Sequence, residues 1–314
     1  MIINLVTAYL PSFVLSNNYF SDNYGISGDE IVAKSGIKQR RQTLPDENTN
    51  TMAIEAVKNA DGKLPYPIQD IDLIIGATYT PFDTIGTLAY AVQAYFKIEN
   101  TRTFTINSAC SSFLNALEVA DAYFATGRAQ KALVVISENN SLYNNLSDPK
   151  SGFLWGDGAA AVFISNERYS DDDLEVVDIN TRGLGNIGKN IESVYLRPLD
   201  GGLKMPYGKD VFQQACTYMV EETEQLLAKN NLSVADINYL IPHQANIRII
   251  DYVARSLNIS KEQVLNNIEF LGNTGSASAA IVLAQYFSTF KKGDKIVITV
   301  FGGGYSSGTA LLKK

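Results

Sequence analysis

Three residues of this chain carry side chains suited to nucleophilic attack, proton transfer or hydrogen-bond donation, and each sits at a turn. Cys110 lies in Phe104-Thr105-Ile106-Asn107-Ser108-Ala109-Cys110-Ser111-Ser112-Phe113-Leu114. Thr103 to Ile106 are β-branched or aromatic and predict a strand. Phe113, Leu114, Leu117, Ala120 and Phe124 follow at helical spacing. A thiol is thus carried on a strand-to-helix turn, where free N–H groups and the helix dipole favour a thiolate. The dipole contribution, up to about 2 kcal/mol, corresponds to a shift of about one pKa unit toward neutrality. On this stretch alone a nucleophile and a small buried hydrophobe are both open. His243 is the only histidine and follows Ile241-Pro242 at the end of an apolar run. Asn273 stands in Gly272-Asn273-Thr274-Gly275, and Phe301-Gly302-Gly303-Gly304 lets backbone N–H groups come close to a ligand. A lone histidine and a turn asparagine each have an ordinary structural reading; as a set the four are thiol, imidazole, carboxamide and backbone donors.

Two glycine motifs are decoys. Gly183-Leu184-Gly185-Asn186-Ile187-Gly188 fits a dinucleotide fingerprint but no helix pattern follows it. Gly304-Tyr305-Ser306-Ser307-Gly308 fits a nucleophile elbow, yet only a short apolar strand pattern remains after it and no later histidine. The cluster Lys38-Gln39-Arg40-Arg41 reads as a solvated loop, with a phosphate contact as the alternative.

The elements that must position these residues alternate. Strands are predicted over Ile2–Tyr9, Asp70–Thr78, Thr103–Ile106, Lys131–Ser137, Asp236–His243 and Asp294–Val300. Helices are predicted over Thr51–Asn59, Leu88–Phe96, Val211–Lys229 and Ala279–Phe287. The second half repeats the first. Asp70 to Cys110 is 40 positions and Asp236 to Asn273 is 37; Cys110 to Lys131 is 21 and Asn273 to Lys295 is 22. Such agreement implies a duplicated βαβ-rich unit in an α/β fold. The polar stretch Asn166–Asp173 marks the seam, giving a half over residues 1–168 with the cysteine and a half over 169–314 with the histidine and asparagine. Ligands of such sheets bind at strand carboxyl ends, where His243 falls.

Composition narrows the rest. The 314 residues are 46% hydrophobic and 19% charged, with a formal charge of −7, which argues against a polyanion-binding surface such as one for nucleic acid. Cys110 and Cys216 form neither a disulfide framework nor a zinc pattern, no metal is expected, and Cys216 is expected buried and inert. No signal peptide and no run of 18 apolar residues stand out, so a cytoplasmic enzyme with no membrane partner is expected.

The chain resembles the 3-oxoacyl-[acyl-carrier-protein] synthase III family of the thiolase superfamily over nearly its whole length. The resemblance rests on Ala109-Cys110-Ser111-Ser112-Phe113, Trp155-Gly156-Asp157-Gly158-Ala159-Ala160, Pro242-His243-Gln244-Ala245-Asn246-Ile247-Arg248, Gly272-Asn273-Thr274 and Phe301-Gly302-Gly303-Gly304. It implies a five-layered αβαβα fold, a homodimer, and a decarboxylative Claisen condensation carried by Cys110, His243 and Asn273, with the N–H groups of Cys110 and Gly303 as an oxyanion hole. It implies an acyl carrier protein as partner, met by Arg248 and Arg255, acyl-CoA or acyl-carrier thioesters as substrates, and no further cofactor. One segment departs from the family. Where relatives carry a Trp and an Arg that grip coenzyme A, this chain has Glu30-Ile31-Val32-Ala33-Lys34-Ser35-Gly36-Ile37, so the aromatic shelf is gone and Lys34 replaces the arginine. Either coenzyme A binds differently or the primer arrives on a carrier. The leading expectation is initiation of fatty acid synthesis. The alternatives are specialised lipid synthesis, such as dialkylresorcinol-type coupling of 3-oxoacyl thioesters, a Cys-dependent acyltransferase, and a non-catalytic carrier-binding scaffold.

Overall fold

A computed structural model describes all 314 residues. The strands are β1 (Ile2–Tyr9), β2 (Phe13–Ser16), β3 (Gln39–Gln42), β4 (Leu73–Ala77), β5 (Arg102–Ile106), β6 (Lys131–Glu138), β7 (Gly158–Ser165), β8 (Leu174–Gly183), β9 (Tyr195–Arg197), β10 (Gly202–Lys204), β11 (Tyr239–Pro242), β12 (Lys295–Gly302) and β13 (Ser306–Lys313). The helices are α1 (Asn17–Tyr24), α2 (Gly28–Ser35), α3 (Thr49–Lys58), α4 (Leu88–Phe96), α5 (Ser112–Ala125), α6 (Gly208–Lys229), α7 (Ile247–Ser256), α8 (Ile268–Leu271) and α9 (Ser278–Tyr286). No helix is long and apolar enough to cross a membrane.

Nine strands hydrogen-bond in the order β11-β12-β13-β8-β1-β7-β6-β4-β5. The order is two copies of one pattern laid end to end. In the first, β4 runs parallel to β6, and β7 lies antiparallel to both β6 and β1. In the second, β11 runs parallel to β12, and β13 lies antiparallel to both β12 and β8. Within the sheet the two fans pair through Ile2 with Glu175 and Ile3 with Leu174. The first fan adds β5 alongside β4; the corresponding place beside β11 holds one parallel bridge, Leu240 with Val264. The stretch Asn166–Asp173 is the loop from β7 to β8.

Burial shows the layers. One apolar cluster joins α5 and α9 (Phe113, Leu114, Leu117, Ile281, Leu283) to the inner faces of both fans: Leu73, Ile75 and Val134 on one side, Ile241, Ile298 and Leu312 on the other. A second packs α3 and α4 on the outer face of the first fan, through Met52, Val92, Ile74 and Val135. A third packs α6 and α7 on the outer face of the second, through Met219, Ile250, Leu240 and Val297. Helices, sheet, helices, sheet, helices make five layers. The interior strands carry apolar residues on both faces because both are covered.

Helix boundaries follow local chemistry. Asn48 caps α3, its side chain accepting from Asn50 N and Thr51 N, so the helix starts at Thr49 and not at Thr51. The run expected as a strand from Asp236 is a strand only over Tyr239–Pro242, since Ser233 and Asp236 close a capping box around a short 3-10 turn. The basic cluster at 38–41 corrects its solvated-loop reading. Arg40 is fully buried on β3 and donates to Leu15 O (3.1 Å), Asn17 Oδ1 (2.9 Å) and Phe153 O (2.7 Å), with its guanidinium 4.8 Å from the Phe20 ring. Lys38 pairs with Glu269, and Arg41 donates to the Pro11 and Ser12 carbonyls. These cations tie β3 to its neighbours.

Candidate active site

Cys110 is aimed by a short elbow between β5 and α5. Ala109 holds a left-handed backbone (φ +50), a conformation that costs a non-glycine residue roughly 1–2 kcal/mol. Hydroxyls brace the turn: Ser112 accepts from Ser108 N and donates to Ala109 O, each at 2.7 Å, and Ser306 Oγ donates to Ser108 O at 2.9 Å. The serine of the discarded elbow motif is therefore a brace on β13. Likewise, Gly183–Gly188 leaves the end of β8 into a turn, with only a short 3-10 turn, Asn190–Glu192, and no α-helix before α6.

His243 follows β11, its N–H donating to Thr299 O at 2.8 Å. Its Nδ1 lies 2.7 Å from Ser278 Oγ at the start of α9. Asn273 is held by a strap. Its N–H donates to Leu154 O (2.8 Å), and its carbonyl accepts from Gly156 N (3.0 Å). Close passage of these segments requires glycine, since a Cβ on Gly156 would stand 2.1 Å from Leu271 O. The Asn273 Oδ1 accepts from Gly275 N at 3.0 Å, so the amide –NH₂ is left to face the cavity. Asn273 does not stand in the same relation to its helix as Cys110: a 3-10 turn, Gly275–Ala277, separates it from α9.

The three side chains, with Gly302 and Gly303, line one cavity of about 630 Å³. That is the size class of a small-ligand site. The inner end is buried, with His243 and Asn273 both covered. The N–H groups of Gly303 and of Cys110 itself point at the Cys110 sulfur. Apolar walls come from Trp155, Val194, Met205, Phe212, Met219 and Phe301. At the open end are four exposed cations, Lys34, Lys150, Lys209 and Arg248. Arg248 donates twice to Ala33 O, at 2.7 and 3.1 Å, and Asn246 Nδ2 donates to Lys34 O, so α7 caps the end of α2. Arg255 is exposed in the last turn of α7 and does not line the cavity. Lys150, Lys209, Ser278 and Asn246 were not singled out from sequence; Asn246 beside the histidine was the one legible signal, as a helix N-cap.

Electrostatics correct the expectation of a thiol drawn toward neutrality. Burial, reinforced by the charge of Glu138, pushes the Cys110 thiol up to about 12, against the pull of the Gly303 and Cys110 N–H groups. Burial outweighs the helix terminus. Burial also lowers the His243 imidazole to about 4. The resting pair is a neutral thiol and a neutral imidazole. Cys216, buried on α6, is held up at about 11 by burial.

Two matched fans around a shared helical layer, with a thiol on one elbow and an imidazole and a carboxamide from the other half in the same cavity, define a condensing enzyme of the thiolase fold. Sequence models of 3-oxoacyl-[acyl-carrier-protein (ACP)] synthase III match residues 104–183, and those of its C-terminal part match residues 227–314. A beta-ketoacyl-[acyl-carrier-protein] synthase III of Clostridium perfringens is 34% identical over 97% of this chain and 96% of its own length. One from Azobacteroides pseudotrichonymphae is 32% identical over 99% and 96%. The crystal structure of 3-oxoacyl-[acyl-carrier-protein] synthase III from Aquifex aeolicus superposes with a TM-score of 0.92 at 33% identity, covering 99% of both chains. The chain belongs to the 3-oxoacyl-[acyl-carrier-protein] synthase III family of acyl-transferring enzymes.

Proposed function

We propose that this protein joins a Cys110-bound acyl group to a malonyl-acyl carrier protein with loss of carbon dioxide, giving the 3-oxoacyl-acyl carrier protein that initiates fatty acid synthesis. The observation that carries this is the convergence of thiol, imidazole, carboxamide and two N–H groups at the buried end of one cavity. Cys110 sulfur attacks the primer thioester and His243 takes the thiol proton. The tetrahedral oxyanion lies against the N–H groups of Cys110 and Gly303. The primer's thiolate leaves and takes that proton.

The malonyl thioester enters next. His243 and the Asn273 –NH₂ donate to its carbonyl oxygen as carbon dioxide departs and an enolate forms. The enolate carbon attacks the acyl carbonyl, and Cys110 thiolate leaves and is reprotonated from solvent. His243 serves both halves because Ser278 can accept from Nδ1–H or donate to bare Nδ1. The first arrangement frees Nε2 as a base; the second places a proton on Nε2 for donation. No step calls on a metal or a redox cofactor.

The rim of Lys34, Lys150, Lys209 and Arg248 on an acidic protein suits the phosphate and acidic surface of a carrier, with Arg255 further along the exposed face of α7. A homodimer is supported by β5, an edge strand paired only with β4, and by exposed Phe82 and Ile85 in the loop after β4. A second reading, the same chemistry in specialised lipid synthesis, is favoured by α2, where Glu30 takes the place of the family's aromatic shelf and pairs with Lys34 at 3.3 Å. Intact-mass analysis after incubation with acyl-CoA and acyl-carrier primers tests the proposal. One primer class should add its acyl mass to the wild type and nothing to Cys110→Ser. Carrier binding without acylation would favour a scaffold.

A further inference from the structure

A carboxyl group that these steps leave unused sits at the end of β6. Glu138 is fully buried and takes part in no ion pair. Its oxygens accept five donors from two segments. Tyr79 N (3.2 Å), Thr80 N (3.2 Å), Thr78 Oγ1 (3.1 Å) and Thr80 Oγ1 come from the turn after β4. Ser276 Oγ comes from the Gly275–Ala277 turn, whose first N–H fixes the Asn273 carboxamide. The ionisable groups around it are acids. Its charge reaches Cys110 on the elbow after β5 and Tyr79 on the turn after β4, and Asp157 stands just before β7, taken up by Ser141 and Thr43. The site is a buried carboxyl with hydrogen-bond donors around it and no cation beside it.

We propose that Glu138 is a positioning residue for the condensation: its carboxyl locks the turn that aims Asn273, and its charge, with no cation beside it, makes the buried Cys110 thiol still harder to ionise. The proposal rests on the roles of Cys110 and Asn273 given above. Burial raises the Glu138 carboxyl to about 7, so its charge changes across the neutral range. As pH rises through that value the carboxylate forms, and the neighbouring thiol becomes harder to ionise.

The test separates charge from tether. In wild type, iodoacetamide alkylation of residue 110, read by peptide mass, should climb less than about tenfold per pH unit between about pH 6 and 8, because Glu138 ionises in that window. In Glu138→Gln the climb should return to about tenfold per unit, with alkylation at about pH 8 faster by about threefold or more. Condensation from a preformed acyl-enzyme should fall by about tenfold or more in this variant. Ser276→Ala keeps the carboxyl and removes one tether that also lowers its pKa; its alkylation profile should still flatten, in a window moved to higher pH, while condensation falls. A wild-type profile with no flattening overturns the charge half without recourse to any variant, as does an unchanged profile in Glu138→Gln. Unchanged condensation in Ser276→Ala overturns the tether half. A wild type that takes up no acyl group sinks the condensation reading and the tether half with it, while the alkylation profile still decides the charge half.

Discussion

The imidazole of His243 and the carboxyl of Glu138 are both buried near the thiol, and burial moves them in opposite directions, to about 4 and about 7. Their effects on stability oppose each other. A histidine depressed from 6.5 leaves full stability above that value, and the stability is lost as pH falls toward 4. A carboxyl raised from 4.5 leaves full stability below that value, and the stability is lost as pH rises through 7. Between about pH 7 and about pH 5 the histidine alone should cost about 2 kcal/mol. Denaturant unfolding of His243→Ala at the two pH values should therefore lack that loss and show the opposing trend of Glu138 unmasked. The same pH dependence in variant and wild type would place a protonated imidazole in the site. Cys110, His243 and Asn273 were legible in the sequence because each stands at a turn, the first marked by small residues, the second by proline and the third by glycines. The protonation states of Cys110 and His243 were not. Both depend on how deeply the site is covered, and that of Cys110 also on Glu138, 28 positions away in the chain.

At the scale of elements, the cavity end depends on how closely the turn after β12 approaches the elbow after β5. A Cβ on Gly302 would lie 2.8 Å from Cys110 N and 3.1 Å from Ser111 N, so backbone must move. Gly302→Ala should displace the N–H groups at the sulfur and slow acylation on the order of 10²–10³-fold, the usual result of losing one oxyanion donor. Single-turnover acylation kinetics measure this; a wild-type rate would show that the N–H groups are not used. Strand and helix alternation was readable because apolar runs of strand length alternate with helical spacing, and the interval match between the halves anticipated the two fans. The strap pairing Leu154–Gly156 with Asn273 was not readable as a pairing, although both glycine motifs stood out. Two segments more than a hundred residues apart carry no local mark of contact. Arg40 was misread for the same reason: its oxygen partners come from Leu15, Asn17 and Phe153.

For the whole molecule, the proposals concern surfaces. An edge strand paired on one side only, together with exposed Phe82 and Ile85, predicts that light scattering will return twice the chain mass; a monomer at micromolar concentration would contradict the dimer. Charge reversal at Lys150 and Lys209 should raise the KM for malonyl-carrier protein and weaken its salt dependence while sparing kcat. An unchanged KM would place carrier docking elsewhere. The rim itself was only half legible, since Lys34 and Arg248 lie in motifs whereas Lys150 reaches the cavity from a loop and Lys209 from the first turn of α6, neither within a motif. The central claim is that Asn273 serves the enolate and not the acyl transfer, and a chase experiment measures it most directly. Wild type and Asn273→Ala are loaded with primer, then given malonyl-carrier protein, and followed by intact mass. The account predicts that both load, that wild type returns to its unmodified mass with release of carbon dioxide and 3-oxoacyl product, and that Asn273→Ala keeps its acyl group. Equal loss of loading and condensation in Asn273→Ala, or discharge at the wild-type rate, would contradict it.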